Sequence, residues 1–218
     1  MDNGLDVAMV RDGLIFYLFL VICLSIHEWA HAFTADKLGD STPASQGRVT
    51  LNPIAHMDLL GTVIFPLLCI FVLPGNFLFG WGKPVMINTS NFKHPVRDDI
   101  LTTLAGPGSN LMLALIGAVV GGVLHRFDPN IIELVSQFVI LNVILAVFNM
   151  IPIPPLDGSH LMRHAVGMSE ELFYNISRWG FLILILMLRI PPISHALSVV
   201  IGLVATPFFG IYGLVKAL

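Results

Sequence analysis

Charge and cysteine are what this sequence has little of. Only 11% of its 218 residues are Asp, Glu, Lys or Arg, against about 25% in soluble domains. A water-facing surface over most of the chain is therefore excluded. The net charge is −3 and the basic residues form no run, so no nucleic-acid partner is expected. The two cysteines, Cys23 and Cys69, stand alone in apolar stretches. They cannot build a disulfide framework or a thiolate metal knuckle, and read as small core residues. No internal repeat, low-complexity tract or long soluble domain is visible. The first apolar stretch is not a removable signal: Asp2, Asp6 and Asp12 flank it against a lone Arg11.

Apolar residues are what the chain has in excess, at 56%. Five stretches have the length and apolarity of full spans: 14–38, 100–124, 131–150, 172–188 and 193–214. A sixth, 59–73, is shorter and carries Pro66 near its middle, which suits a re-entrant or interfacial segment as well as a span. Between them, 47–52 and 83–88 alternate apolar and polar residues and read as two short strands, with Pro84 at an edge. The fold class expected is an all-α polytopic membrane protein. It has about five transmembrane helices, a re-entrant hydrophobic segment and a small membrane-associated β element.

Inside the first apolar stretch lies His27-Glu28-Trp29-Ala30-His31. Residues four apart share a helix face, so both imidazoles can reach one metal ion, with Glu28 about 100° round the helix. This is the HExxH pattern of zinc metalloproteases, with the Glu as general base. Charged groups in an apolar helix are costly, so they mark a functional site. A second motif, Asn149-Met150-Ile151-Pro152-Ile153-Pro154-Pro155-Leu156-Asp157-Gly158, ends the third span. Its prolines break the helix and present Asp157 on a rigid segment. A carboxylate is a normal third zinc ligand beside two imidazoles. The plainer alternative is that Asp-Gly forms a turn after a helix.

HEWAH, AGPGSN (105–110) and NMIPIPPLDG occur in the order seen in the site-2 protease family of intramembrane zinc metalloproteases, which this chain resembles over about residues 14–165. GRVTLNPIAHMD and FGWGKPVMIN resemble a compact bacterial-type branch, without a PDZ or CBS domain. The resemblance implies that His27, His31 and Asp157 hold one Zn2+ and that Glu28 is the catalytic acid/base. It implies a catalytic core over 14–165, with C-terminal transmembrane helices in 166–218 of a single integral-membrane domain. Asn149 matches a family asparagine near the active site. It is the candidate for oxyanion stabilisation, with a helix-end cap as its alternative. Asn110 and His56 also match recurring positions. With Val85, Ile87 and Asn88, on an edge that an extended substrate could join, they form the candidate substrate-binding set. The expected partners are a membrane-protein substrate with a transmembrane helix and the lipid bilayer. Asp58, His56 and Asn52 are candidates to line a polar entry, or belong to an ordinary solvated loop.

Both metal motifs sit at the C-terminal ends of their helices, so if both touch one zinc those helices must run the same way. That requires 59–73 not to cross fully. Lys37, Arg48, Lys83, Lys93, Arg97, Arg163, Arg178 and Lys216 then share one side, against Arg11, Arg126 and Arg189 on the other. The bias places the N-terminus outside the cell membrane and the site and C-terminus toward the cytoplasm. His160 and His164, four apart, suit an interfacial helix, with a second metal site as the alternative. A metal transporter or a catalytically idle helix-binding protein would use the same ligands. Few further ionisable residues lie along the spans, and all four key residues are present, which favours the protease.

Overall fold

A computed structural model describes residues 7–71 and 80–218. The chain is predominantly helical. Helix α1 spans Val7–Leu38, and Gly39, in the left-handed region at φ 114°, stops it. A one-turn α2 (Thr42–Ser45), a π-helical stretch (Leu59–Ile64) and α3 (Phe65–Phe71) follow. Pro95 starts α4 (Pro95–Leu124), whose first turn is capped when Asp98 accepts from the His94 N–H at 3.0 Å. Helix α5 spans Ile131–Asn149 and gives way to the proline segment. The nine-residue α6 (Gly158–Val166) ends at Gly167, φ 63°. Helices α7 (Glu170–Leu188) and α8 (Pro191–Ala217) complete the chain. Five of these, α1, α4, α5, α7 and α8, are long and apolar enough to cross a membrane, as the composition requires.

Helix α4 is the axis of the bundle. Its Ala114 and Ala118 pack with Val135, Val139 and Val143 of α5 and with Ala205 and Tyr212 of α8. A second cluster joins Leu20, Cys23 and Leu24 of α1 to Leu141 of α5. Small residues allow these close approaches: a Cβ on Gly117 would stand 2.7 Å from Phe138. His27 of α1 meets Asn110 of α4, and His31 meets Thr102. As one number rises the other falls, so α1 and α4 are antiparallel. The whole connection from α1 to α4 therefore leaves and returns at one end of the bundle. Its apolar helix, Leu59–Phe71, is too short to span. The tail of the predicted 59–73 segment, residues 72 and 73, lies outside the described residues.

Two expectations are corrected. Among the described residues there is no sheet; the only bridge is a single antiparallel pair, Met57 and Gly82. The alternation in 47–52 and 83–88 does not become strands because other groups take the backbone. The Arg48 guanidinium occupies the Lys83 and Pro84 carbonyls, and Pro84 has no N–H to give. Asn52 and Asn88 cap short 3₁₀ turns by accepting from the Ile54 and Ser90 N–H groups.

The second correction concerns α8. Tyr212 Oη lies 2.8 Å from His125 Nδ1, and Arg126 donates to the Val215 carbonyl at 3.4 Å. Gly122 is packed against Val215. The end of α8 therefore sits beside the end of α4, and the two helices run in the same direction. The C-terminus lies at the end of the bundle remote from His27 and His31. Gly122 leaves the room on α4 that Val215 of α8 fills, while its neighbour Gly121 lies against Val135 of α5.

Candidate metal centre

Helix periodicity puts His27 and His31 on one face of α1, turned into the bundle, at 3% and 6% exposure. The prolines after α5 fold back so that Asp157 meets them. Gly158 makes this return possible, because a Cβ there would run into the Met150 carbonyl. The Nε2 atoms of His27 and His31 are 3.1 Å apart. Asp157 places Oδ2 3.2 Å from His27 Nε2 and Oδ1 3.4 Å from His31 Nε2. Gly106 of α4 lies flat against both rings; a Cβ would stand 2.7 Å from His27 Cε1.

The tautomers of both rings follow from the groups behind them. His31 Nδ1 lies 2.7 Å from the Thr102 carbonyl, which can only accept, so Nδ1 carries the proton. Behind His27 the logic runs through two buried amides. Asn142 Nδ2 donates to the Phe138 carbonyl at 2.8 Å, so its Oδ1 faces Asn110 and accepts from Asn110 Nδ2 at 3.1 Å. Asn110 Oδ1 is then left for His27 Nδ1–H, at 2.7 Å. Both Nε2 lone pairs consequently point at the Asp157 carboxylate. With both rings neutral, three acceptors share one spot, and Asp157 Oδ2 is buried without a hydrogen-bond partner.

That arrangement fits a cation. Ligands about 2.0–2.1 Å from a tetrahedral zinc lie about 3.3 Å from one another, close to the separations found here. Two neutral imidazoles and one carboxylate are an ordinary zinc donor set that leaves a fourth position free. Among the described residues this is the one group of three His, Cys, Asp or Glu side chains close enough to hold a metal.

Glu28 faces another way on the same helix. Its Oε2 accepts from the Val85 N–H at 3.1 Å, and Arg48 Nη2 lies 4.0 Å away. Gly82 passes close beside it: a Cβ there would be 3.5 Å from Glu28 Oε1. The segment 81–85 thus forms a strap over the carboxylate.

The remaining sequence-predicted residues are placed apart from the donor set or behind it. Asn110, wholly buried, stands behind His27. Asn149 Nδ2 donates to the Leu145 carbonyl of its own helix at 3.0 Å. His56 is 1% exposed, with Nε2 2.8 Å from the Thr50 carbonyl and Nδ1 3.4 Å from Arg48. Burial, with the neighbouring Arg48 charge, holds its pKa below the ordinary histidine value despite the Thr50 contact. Val85 and Ile87 are half-buried, and Asn88 donates its N–H to Asp40 Oδ2 at 2.8 Å. Asp58 caps the π-helical stretch and Asn52 a 3₁₀ turn. His160 and His164 face Asp99 of α4, with His164 Nε2 2.7 Å and His160 Nδ1 3.6 Å from Asp99 Oδ2. Sequence reasoning missed Thr102, Asn142, Arg48 and Asp99. A carbonyl leaves no sequence signal. Arg48 was visible only as a member of the 47–52 segment with no role of its own, and Asp99 only as a charge before an apolar run.

Membrane-length helices enclosing a polar His-His-Asp cradle, with the HExxH glutamate beside it, define the class: an intramembrane metalloprotease of the zinc type. Comparison with known proteins agrees. Residues 125–187 match the model of peptidase family M50. A Bacillus subtilis (strain 168) protein named as a zinc metalloprotease, YwhC, is 35% identical over 188 residues, covering 82% of this chain and 81% of its own length. Proteins named as the zinc metalloprotease Rip2 are 31% identical in Mycolicibacterium smegmatis and 29% in Mycobacterium tuberculosis H37Rv. Each match covers 80% of this chain and 66% of the relative. No solved structure matches. The chain belongs to peptidase family M50, the site-2 protease family.

Proposed function

We propose that this protein hydrolyses peptide bonds in or beside transmembrane segments of other membrane proteins, at a zinc ion held by His27, His31 and Asp157. The observation that carries the reading is the convergence of three lone-pair donors, each 3.1–3.4 Å from the next. They sit inside helices of membrane length. Zinc bound there acidifies a water and polarises the scissile carbonyl.

The chain's own residues do the rest. Asn110 and Thr102 hold the two imidazoles as Nδ1–H tautomers, so both Nε2 atoms stay aimed at the ion. Glu28 takes a proton from the attacking water and returns it to the leaving amine. Oε1 is the oxygen that carries this proton, since Oε2 already accepts from Val85. Asn149 donates one amide N–H to the Leu145 carbonyl, and its second N–H is the candidate donor to the oxyanion. A peptide bond within a substrate helix is shielded by its own hydrogen bonds, so the substrate must unwind locally before it is cut.

The active site faces the cytoplasm in this reading, with the N-terminus outside. With α8 parallel to α4, both ends of α7 fall on the site side and α7 does not cross in this reading; Arg189 then joins the site-side charges and Lys216 the far side. The exchange is one for one, so the split stays at eight against three.

The test is cleavage of a reconstituted single-span substrate by protein stripped of metal and then reloaded with zinc. Cleavage that vanishes on chelation and returns with zinc, at a bond in or next to the span, is expected. Cleavage indifferent to chelation would overturn the reading.

A further inference from the structure

The strap over Glu28 is fastened at two places by different means. At its start, the Trp81 N–H donates to the Gly61 carbonyl at 3.1 Å, and Thr62 Oγ1 donates to the Trp81 carbonyl at 2.7 Å. The Lys83 N–H donates to the His56 carbonyl at 2.8 Å. At its end, backbone partners stop, and Arg48 takes over. Nη2 donates to the Lys83 carbonyl and Nη1 to the Pro84 carbonyl at 3.2 Å. The next N–H in the chain, that of Val85, is the one that holds Glu28 Oε2.

Arg48 itself is an unusual residue to bury. It follows Gly47, whose φ of 67° turns the chain, and it is only 4% exposed. Its Nε is buried with no hydrogen-bond partner. A buried guanidinium with an unsatisfied donor is costly, so packing alone does not account for it. The guanidinium reaches Lys83, Pro84, His56 and, at 4.0 Å, Glu28. These groups all belong to the surroundings of one carboxylate.

We infer that Arg48 is the positioning residue for Glu28. Its planar fork sets the end of the strap, the strap aims the Val85 N–H, and that N–H fixes Glu28 Oε2 so that Oε1 is the oxygen presented for proton transfer. Only an arginine supplies two parallel donors to two successive carbonyls. The inference rests on Glu28 being the base. It adds to that reading how the base is held. Because the start of the strap is fastened independently, removing Arg48 releases only the end that carries Val85.

The experiment compares full-length wild type, Arg48→Gln, Arg48→Lys and Glu28→Gln in proteoliposomes. It reads kcat and KM on a single-span substrate, bound zinc, and amide hydrogen exchange at Val85. Arg48→Gln is expected to lower kcat about tenfold or more, as a misplaced catalytic group does. KM and zinc content stay unchanged, and the Val85 amide exchanges faster. Arg48→Lys, with one donor for two carbonyls, falls between the two. If Arg48→Gln does not fold, Arg48→Lys is judged by the same criteria. Unchanged kcat and unchanged Val85 exchange, or a loss of kcat that only follows zinc loss, overturns the positioning role while leaving Glu28 as base. Full activity in Glu28→Gln overturns the base assignment instead.

Discussion

His27 Nδ1 lies 2.7 Å from Asn110 Oδ1, between two groups that are 83 residues apart in the chain and both buried. Asn110 cannot turn its amide round, because Asn142 and the Phe138 carbonyl fix it from behind. Which nitrogen of His27 faces His31 and Asp157 is thus decided two residues deep in the bundle, by groups outside that donor set.

Asn110→Ala tests this. The change leaves His27 Nδ1–H and one Asn142 group buried and unpaired, at about 1–3 kcal/mol each. Zinc affinity is expected to fall about 10–100-fold, the usual cost of losing the partner behind a metal-binding histidine. Competition with a chromophoric chelator measures it.

Asp99 braces the same centre from α6. His164 Nε2 is 2.7 Å from Asp99 Oδ2, and α6 begins immediately after Asp157. Three residues on from Asp99, Thr102 holds His31. The tie therefore joins the element carrying Asp157 to the helix that orients His31. Asp99→Ala is expected to weaken zinc binding about tenfold while α1 and α4 stay packed. An unchanged zinc affinity would remove Asp99 from the support of the site.

Asp40 ties the end of α1 to the 88–91 turn. Burial alone would raise its carboxyl, but donors from Thr42, Asn91 and Asn88 outweigh that and hold its pKa below the ordinary value. A group with a lowered folded-state pKa stabilises the fold above its unfolded-state value, about 3.9. That stabilisation disappears as pH falls through the lower, folded-state pKa. Amide exchange at Asn88, corrected for intrinsic rate, is expected to quicken below about pH 4 in wild type. In Asp40→Asn it is expected to be fast already at neutral pH, with no further acid step.

The direction of α8 predicts where the C-terminus lies. A cysteine placed at Leu218 and one placed at Ser90 are expected to react with a membrane-impermeant thiol reagent from opposite faces of sealed vesicles. Labelling of both from the same face would contradict the parallel packing of α4 and α8.

The bundle and the donor set were largely legible in the sequence, for separable reasons. Long apolar runs set the five helices, because length against bilayer thickness is a one-dimensional property. HExxH reveals itself through helix periodicity, and the prolines before Asp157 reveal where α5 must end. The supposed strands at 47–52 and 83–88 failed for a three-dimensional reason. Alternation predicts a pleat only when the backbone groups are free to pair, and Arg48 takes them first. The direction of α8 was illegible because hydropathy says how long a helix is and not which groove it fills. The roles of Asn110, Thr102 and Asp99 depend on contacts between distant segments, which spacing within one segment cannot encode.

Under the proposed function, Glu28 moves the proton at a zinc ion held by His27, His31 and Asp157. The most direct test is cleavage of one reconstituted single-span substrate by wild type and Glu28→Gln side by side, with bound zinc measured in both. The account predicts about one zinc per chain in each protein, with cleavage by wild type alone. A Glu28→Gln protein that keeps its zinc and cuts at the wild-type rate would contradict it.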